Sequence, residues 1–247
     1  MNVVILGATK GIGRAVARRM AERGDTLCLL GRDETDLEKS AGDLEVRAGR
    51  PTGSCVTVRC DLADAPSLVQ AVSRARQALG RIDAVVVTAA LFGTQEQLEG
   101  DLERCRALLT VNFAHTVLFC EAAREVLLEQ GGGTLCVVSS VAGDRARKPV
   151  VLYGATKAGL SYYLEGLDHR YHARGLHVVT IKPGFVKTSM TQGLKPPPFA
   201  GTAEQVARDI VAAIDRKTPV VYTPWAWRWV MHVIRRLPRG VMRQIGF

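Results

Sequence analysis

Tyr153-Gly154-Ala155-Thr156-Lys157 sets a phenol and an amine four residues apart. On a helix that spacing brings both side chains to one face. Ser140 stands thirteen residues before the tyrosine, and Asn112 lies further upstream in Val111-Asn112-Phe113. The chemistry open to such a set is proton transfer to an oxygen on which negative charge develops, as when a hydride reaches a carbonyl carbon. A free tyrosine ionises near ~10, too high for reversible proton transfer around neutrality. Positive charge from Lys157, together with that of an oxidised nicotinamide, would stabilise the phenolate and lower that value, while Ser140 would hold the reacting oxygen. Singly, each residue has a plain structural reading: a surface pair on a helix, a turn at a strand end, a polar residue inside a helix. All four together, in this order, favour the chemical one.

A second constellation lies at the other end of the chain. Gly7-Ala8-Thr9-Lys10-Gly11-Ile12-Gly13 joins an apolar run, Val3 to Leu6, to a segment with bulky residues at helical spacing. Glycines there permit a tight turn and close approach of a ligand, and the N-terminus of the following helix receives a pyrophosphate. Which dinucleotide binds is decided where the second strand ends, since an acidic side chain there holds the ribose 2′-hydroxyl of NAD. That place is Gly31, followed by Arg32, and Lys10 adds a second positive charge. NADP is therefore expected over NAD, with Asp33 as the residue that keeps NAD open.

These sites need a scaffold, and the pattern supplies one. Apolar strand-like runs occur at Val3 to Leu6, Thr26 to Leu30, Cys55 to Arg59, Ala84 to Thr88, Thr134 to Ser139, His177 to Ile181 and Val220 to Thr223. Helical stretches fall between them, among them Glu34 to Ala48, one entered near Asp64-Ala65-Pro66, a long one from about Glu99 to Leu128, and Tyr153 to Arg174. Thr202-Ala203-Glu204-Gln205 has capping-box spacing and opens a helix ending near Arg216. Parallel strands need crossovers long enough to hold a helix, so the expected fold is α/β: a single Rossmann-type doubly wound domain with a seven-stranded parallel sheet flanked by helices. It spans residues 1–224, includes a substrate loop at 189–201, and is followed by a C-terminal extension, 225–247.

Composition agrees with a globular enzyme: among 247 residues, 47% are hydrophobic and 23% charged. The six cysteines form no CxxC pair and the five histidines no ligand spacing, so reduced thiols are expected and no metal. The N-terminal residues show no signal-peptide pattern, and a cytoplasmic location is expected. The formal charge of +9 is concentrated at the end of the chain: beyond Asp215 there are seven Lys or Arg and no acidic residue. A basic tail of this kind does not read as a nucleic-acid binder. Placed on one helix, Trp227, Val230, Met231, Ile234 and Leu237 share a face, and Arg228, His232, Arg235 and Arg239 the opposite one. Such a segment suits either the surface of an anionic membrane, at the inner face of the cell membrane, or packing on the body or another subunit.

The GxxxGxG turn, the YxxxK pair, Ser140 and Asn112 together resemble the short-chain dehydrogenase/reductase family. That resemblance implies an NAD(P)-dependent oxidoreductase acting on CH–OH or C=O groups, with Tyr153 as acid/base. It implies that Asn112 orders a water relay from Lys157, and that Lys157 also holds the nicotinamide ribose. Asp61 and Leu62 match the adenine contact. Pro183, Gly184, Val186 and Thr188 match the family's Pro-Gly turn, with Thr188 near the carboxamide. Ala89 and Ala90 stand beside the cofactor, but Val87-Thr88-Ala89-Ala90 replaces the usual Asn-Asn-Ala-Gly, so the usual side-chain hydrogen bonds cannot all form. The tail and the runs Ser139 to Arg145 and Tyr153 to Leu160 are similar to bacterial decaprenylphosphoryl 2-keto-pentose reductase-like members, which implies a lipid-linked keto-sugar as an alternative to a small-molecule carbonyl substrate. A homo-oligomer is also implied. A non-catalytic NADP-binding protein is the competing reading, and the complete Ser140, Tyr153 and Lys157 set argues against it.

Overall fold

The computed structural model describes residues 1–245, so the last two residues of the expected extension lie outside it. Strands and helices alternate: β1 (Asn2–Leu6), α1 (Gly11–Glu22), β2 (Thr26–Gly31), α2 (Glu34–Arg47), β3 (Val56–Arg59), α3 (Ala65–Leu79), β4 (Ala84–Val87), then α4 (Gln95–Leu98), α5 (Leu102–Leu109) and α6 (His115–Glu129). Next come β5 (Gly133–Val138), α7 (Val151–Tyr171), β6 (Leu176–Pro183), β7 (Val186–Lys187), β8 (Gly201–Thr202), α8 (Ala203–Arg216), β9 (Val220–Thr223), α9 (Ala226–Ile234) and α10 (Arg239–Gln244). Seven strands form one sheet in the order β3-β2-β1-β4-β5-β6-β9, with every pair parallel. The molecule is thus the doubly wound α/β domain expected.

The alternation of side chains along each strand divides the core in two. Val4, Leu6, Val85, Val87, Leu135 and Val137 face α3, α6 and α7, against Leu68, Phe119, Leu127, Leu160 and Leu164. Val3, Ile5, Ala84, Val86 and Cys136 face α1 and α8, against Val16, Met20, Val206 and Ile210. Both faces are dry, which is why the strands are apolar throughout rather than alternating.

Two expectations are corrected. The long helix from Glu99 to Leu128 is interrupted: Asp101 caps a new start at α5 by accepting from Arg104 N at 2.9 Å, and residues Thr110–Ala114 form a π turn before α6. The Thr116 hydroxyl donates to Val111 O, five residues back, at 2.7 Å, which holds the widened turn. The tail is not one helix: Pro238 lacks the backbone N–H that continuation needs, and α9 and α10 are separate. Its apolar face is also not free, because Trp227, Met231 and Ile234 are buried against Val141. Finally, β7 and β8, which the sequence pattern did not reveal, pair in parallel and pin the two ends of the 189–201 loop.

Candidate active site

Parallel strands bring all their C-terminal ends to one edge of the sheet, and the crevice there is where ligands of open α/β sheets bind. In this protein that edge opens into a cavity of about 500 Å³. Lys10, Gly11, Ile12 and Gly13 line one end; Thr88 and Ala90 follow β4; Ser140 follows β5; Tyr153 and Lys157 enter from α7; Pro183 closes β6, and Gly184, Val186 and Thr188 follow it. Most of the residues singled out in the sequence therefore meet in one space. Gly7, Thr9 and Ala89 sit in or behind the turns that frame it, whereas Arg32, Asp61 and Leu62 lie beyond its wall, after β2 and β3.

The glycine turn is built for close approach. A Cβ on Gly13 would stand 2.1 Å from Gly7 O and 2.4 Å from Thr88 Oγ1, so the start of α1 lies directly on the ends of β1 and β4. Gly7 itself has φ of +92°, the left-handed region that favours glycine. This cradle, with the N-terminus of α1 opening into the cavity, fits the pyrophosphate of a dinucleotide. Thr88, standing where an asparagine is usual, donates to Leu6 O at 3.0 Å and to Gly7 O at 3.2 Å and so ties β4 to the turn. Around the ribose end, Asp33 spends its carboxylate on the N-cap of α2, accepting from Asp36 N at 2.8 Å. Lys10 pairs with Asp36 at 2.8 Å, and Arg32 is exposed beside them.

Asn112 is buried, and its side chain brackets one residue: Oδ1 accepts from Leu91 N and Nδ2 donates to Leu91 O, both at 2.7 Å. The π turn is what aims it there, across to the loop after β4. That loop carries Ala90 and Phe92, both in the cavity wall.

Lys157 is buried within the site, and its ammonium donates to Val138 O at 3.0 Å. Its Nζ lies 5.8 Å from the centre of the Tyr153 ring. Phe92 packs edge-on against the same ring at 5.1 Å. Burial lowers the Lys157 ammonium to about 8. Burial also pushes the Tyr153 phenol up to about 12, against the opposing effects of a hydrogen bond with Ser140 and the charge of Arg147. In the protein alone, desolvation outweighs the lowering by Ser140 and Arg147. The Ser140 hydroxyl also accepts from Ala142 N at 3.0 Å, which fixes the turn after β5. Next to it, Ser139 donates to Lys157 O at 3.0 Å and bonds Ser161 at 2.7 Å, locking β5 to α7.

Sequence reasoning missed part of the wall. Phe92, Arg147 and Val150 line the cavity without any motif to mark them, while Met190 and Leu194 come from the expected substrate loop. Trp227, from the apolar face of the C-terminal extension, lines it too. A Cβ on Gly184 would fall 2.1 Å from the Trp227 indole nitrogen, so the glycine after Pro183 is the seat on which that ring rests. The indole N–H donates to Phe199 O at 3.1 Å and joins α9 to the 189–201 loop.

Residues 1–198 match the family described as short chain dehydrogenase. An uncharacterized oxidoreductase of Mycobacterium tuberculosis is 32% identical over 243 residues, covering 98% of this chain and 96% of that one. An uncharacterized oxidoreductase of Streptomyces coelicolor is 35% identical over 249 residues, covering 99% and 95%. The crystal structure of levodione reductase superposes with a TM-score of 0.81 at 24% identity, over 90% of this chain and 95% of the other. With its parallel sheet, its glycine turn and this extent of similarity, the chain belongs to the short-chain dehydrogenase/reductase family and is an oxidoreductase of the kind that uses a nicotinamide cofactor.

Proposed function

We propose that the protein reduces a ketone to a secondary alcohol at the expense of NADPH, with Tyr153 as the proton donor. The observation that carries this reading is that Ser140, Tyr153 and Lys157 line the same cavity as the glycine turn. Bound NADPH supplies the hydride. As charge builds on the carbonyl oxygen, the Ser140 hydroxyl donates a hydrogen bond to it and Tyr153 transfers its proton. A phenol held near 12 is fully protonated at neutral pH and ready to donate. Lys157, still charged at that pH, then stabilises the phenolate left behind and holds the nicotinamide ribose. Asn112 contributes by fixing the Leu91 backbone beside the site. In this reading residues 1–224 make up the catalytic unit, and 225–247 form an extension that contributes Trp227 to the substrate side.

Preference for NADPH rests on Arg32 and Lys10, with Asp33 engaged as a helix cap. Lys10 is the lesser of the two, because a 2′-phosphate must draw it away from Asp36. Steady-state oxidation of NADPH and NADH against a panel of ketones, aldehydes and keto-sugars tests both parts. Turnover with NADPH is expected, and Arg32→Ala raises its KM about 10- to 100-fold, the worth of a charge-assisted hydrogen bond, while changing NADH little. Equal use of both cofactors by the wild type, or an Arg32→Ala variant that discriminates as before, would contradict the assignment.

A further inference from the structure

The second-to-last helix, α9, presents two different apolar surfaces. Trp227, Met231 and Ile234 point inward, toward the cavity and Val141. Trp225, Trp229 and Val233 stand four residues apart on the outer side and are 71%, 62% and 60% exposed. Side chains at that spacing form one stripe along the helix. Isolated exposed hydrophobics are ordinary, but Trp225 at the N-cap, with Trp229 and Val233 on the nine-residue helix that follows, makes one apolar ridge. Phe199, 61% exposed, belongs to the loop that the Trp227 indole holds against the same helix.

Charge surrounds this ridge on one side of the balance. Arg228, Arg235 and Arg236 are exposed on α9 and its end, Arg239 and Arg243 on α10, and the chain beyond Asp215 carries no carboxylate side chain. Backbone and side-chain bonds fix this segment to the body rather than leave it trailing: Arg145 donates to Leu237 O at 2.7 Å and Lys148 to Arg243 O at 2.6 Å. Tryptophan rings favour the layer between water and hydrocarbon, and arginines beside them favour anionic headgroups. A second copy of this chain would bring its own arginines against these. An anionic lipid surface complements both the ridge and the charge.

We propose that the outer face of α9, with Trp225, Trp229 and Val233 ringed by Arg228, Arg235 and Arg236, docks the protein on an anionic phospholipid bilayer. The helix lies in the headgroup layer and does not cross it; among the described residues no helix is long and apolar enough to span a membrane. Since α9 also walls the cavity and holds the 189–201 loop, docking sets the substrate side of the site next to the lipid. The inference is independent of which carbonyl compound is reduced.

Flotation of the full chain with vesicles of phosphatidylglycerol and phosphatidylcholine, beside vesicles of phosphatidylcholine alone, tests it. The protein is expected to float with the anionic vesicles only, with a blue shift of tryptophan emission. Trp225→Ala with Trp229→Ala reduces partitioning at least about tenfold, and Arg228→Glu with Arg236→Glu does the same. Both double variants keep the wild-type melting temperature and the wild-type rate on a water-soluble carbonyl. Absence of wild-type flotation, or flotation that survives both double variants, overturns the proposal. So does a wild-type dimer in light scattering that the tryptophan variant turns into monomer without any vesicle binding, since the ridge would then be an interface between copies.

Discussion

Burial acts on the two ionisable members of the Tyr153–Lys157 pair in opposite directions, raising the phenol to about 12 and lowering the ammonium to about 8. Of the two, only Lys157 titrates within the working range. As pH rises through its value the amine loses the charge that stabilises the phenolate, while Tyr153 stays protonated. The predicted kcat/KM for ketone reduction is level around neutrality and falls above about 8, because that parameter reports groups of the free enzyme. Initial rates across a pH series check this, and a profile level to about pH 10 would contradict it. At this scale Tyr153, Lys157 and Ser140 were legible because their spacing is tied to one helix and one strand end. Phe92, Arg147 and Trp227 were not, since nothing in local spacing says which distant side chains close a cavity. The direction of the Tyr153 shift was equally hidden: it depends on burial, and a motif does not display burial.

Elements were read well where the core imposes a pattern and poorly where single polar residues interrupt it. All seven strands of the main sheet fall where apolar runs predicted them, and the inner strands are buried on both faces. The break of the helical stretch at Asp101 and the π turn at Thr110–Ala114 were missed, for these depend on side-chain bonds to backbone that periodicity does not register. Function is invested in that π turn, since it delivers Asn112 to Leu91. Asn112→Ala deprives the Leu91 N–H and C=O of their partner at once, at a cost of about 1–3 kcal/mol. Thermal unfolding should show the loss, and ketone reduction should slow as the Ala90–Phe92 loop loosens. An alanine variant with unchanged melting temperature and rate would remove Asn112 from this role.

Across the whole molecule, the turn after β5 is tied to the far edge of the sheet by a buried ion pair that no motif marked. Lys182 on β6 meets Asp144 at 2.6 Å, with 14% and 3% of their side chains exposed, and the Tyr222 hydroxyl of β9 donates to the same carboxylate at 2.7 Å. Asp144 lies just past the Ser140 turn, so the pair ties that turn to the last two strands of the sheet. Removing one partner of a buried pair leaves the other charge uncompensated. Asp144→Ala is predicted to cost about 3–5 kcal/mol in chemical denaturation, and adding Lys182→Met recovers much of it. If the double variant is as unstable as the single one, the ion pair is not what holds the turn.

The proposed reduction turns on Tyr153 giving its proton to the product oxygen. Tyr153→Phe keeps the ring that packs against Phe92 and removes only the hydroxyl. Single-turnover reduction of a ketone substrate, followed by loss of NADPH absorbance with cofactor affinity measured alongside, tests that claim directly. The predicted result is a rate reduced about 10²- to 10⁴-fold with NADPH binding unchanged. A phenylalanine variant that reduces the ketone as fast as the wild type would contradict it.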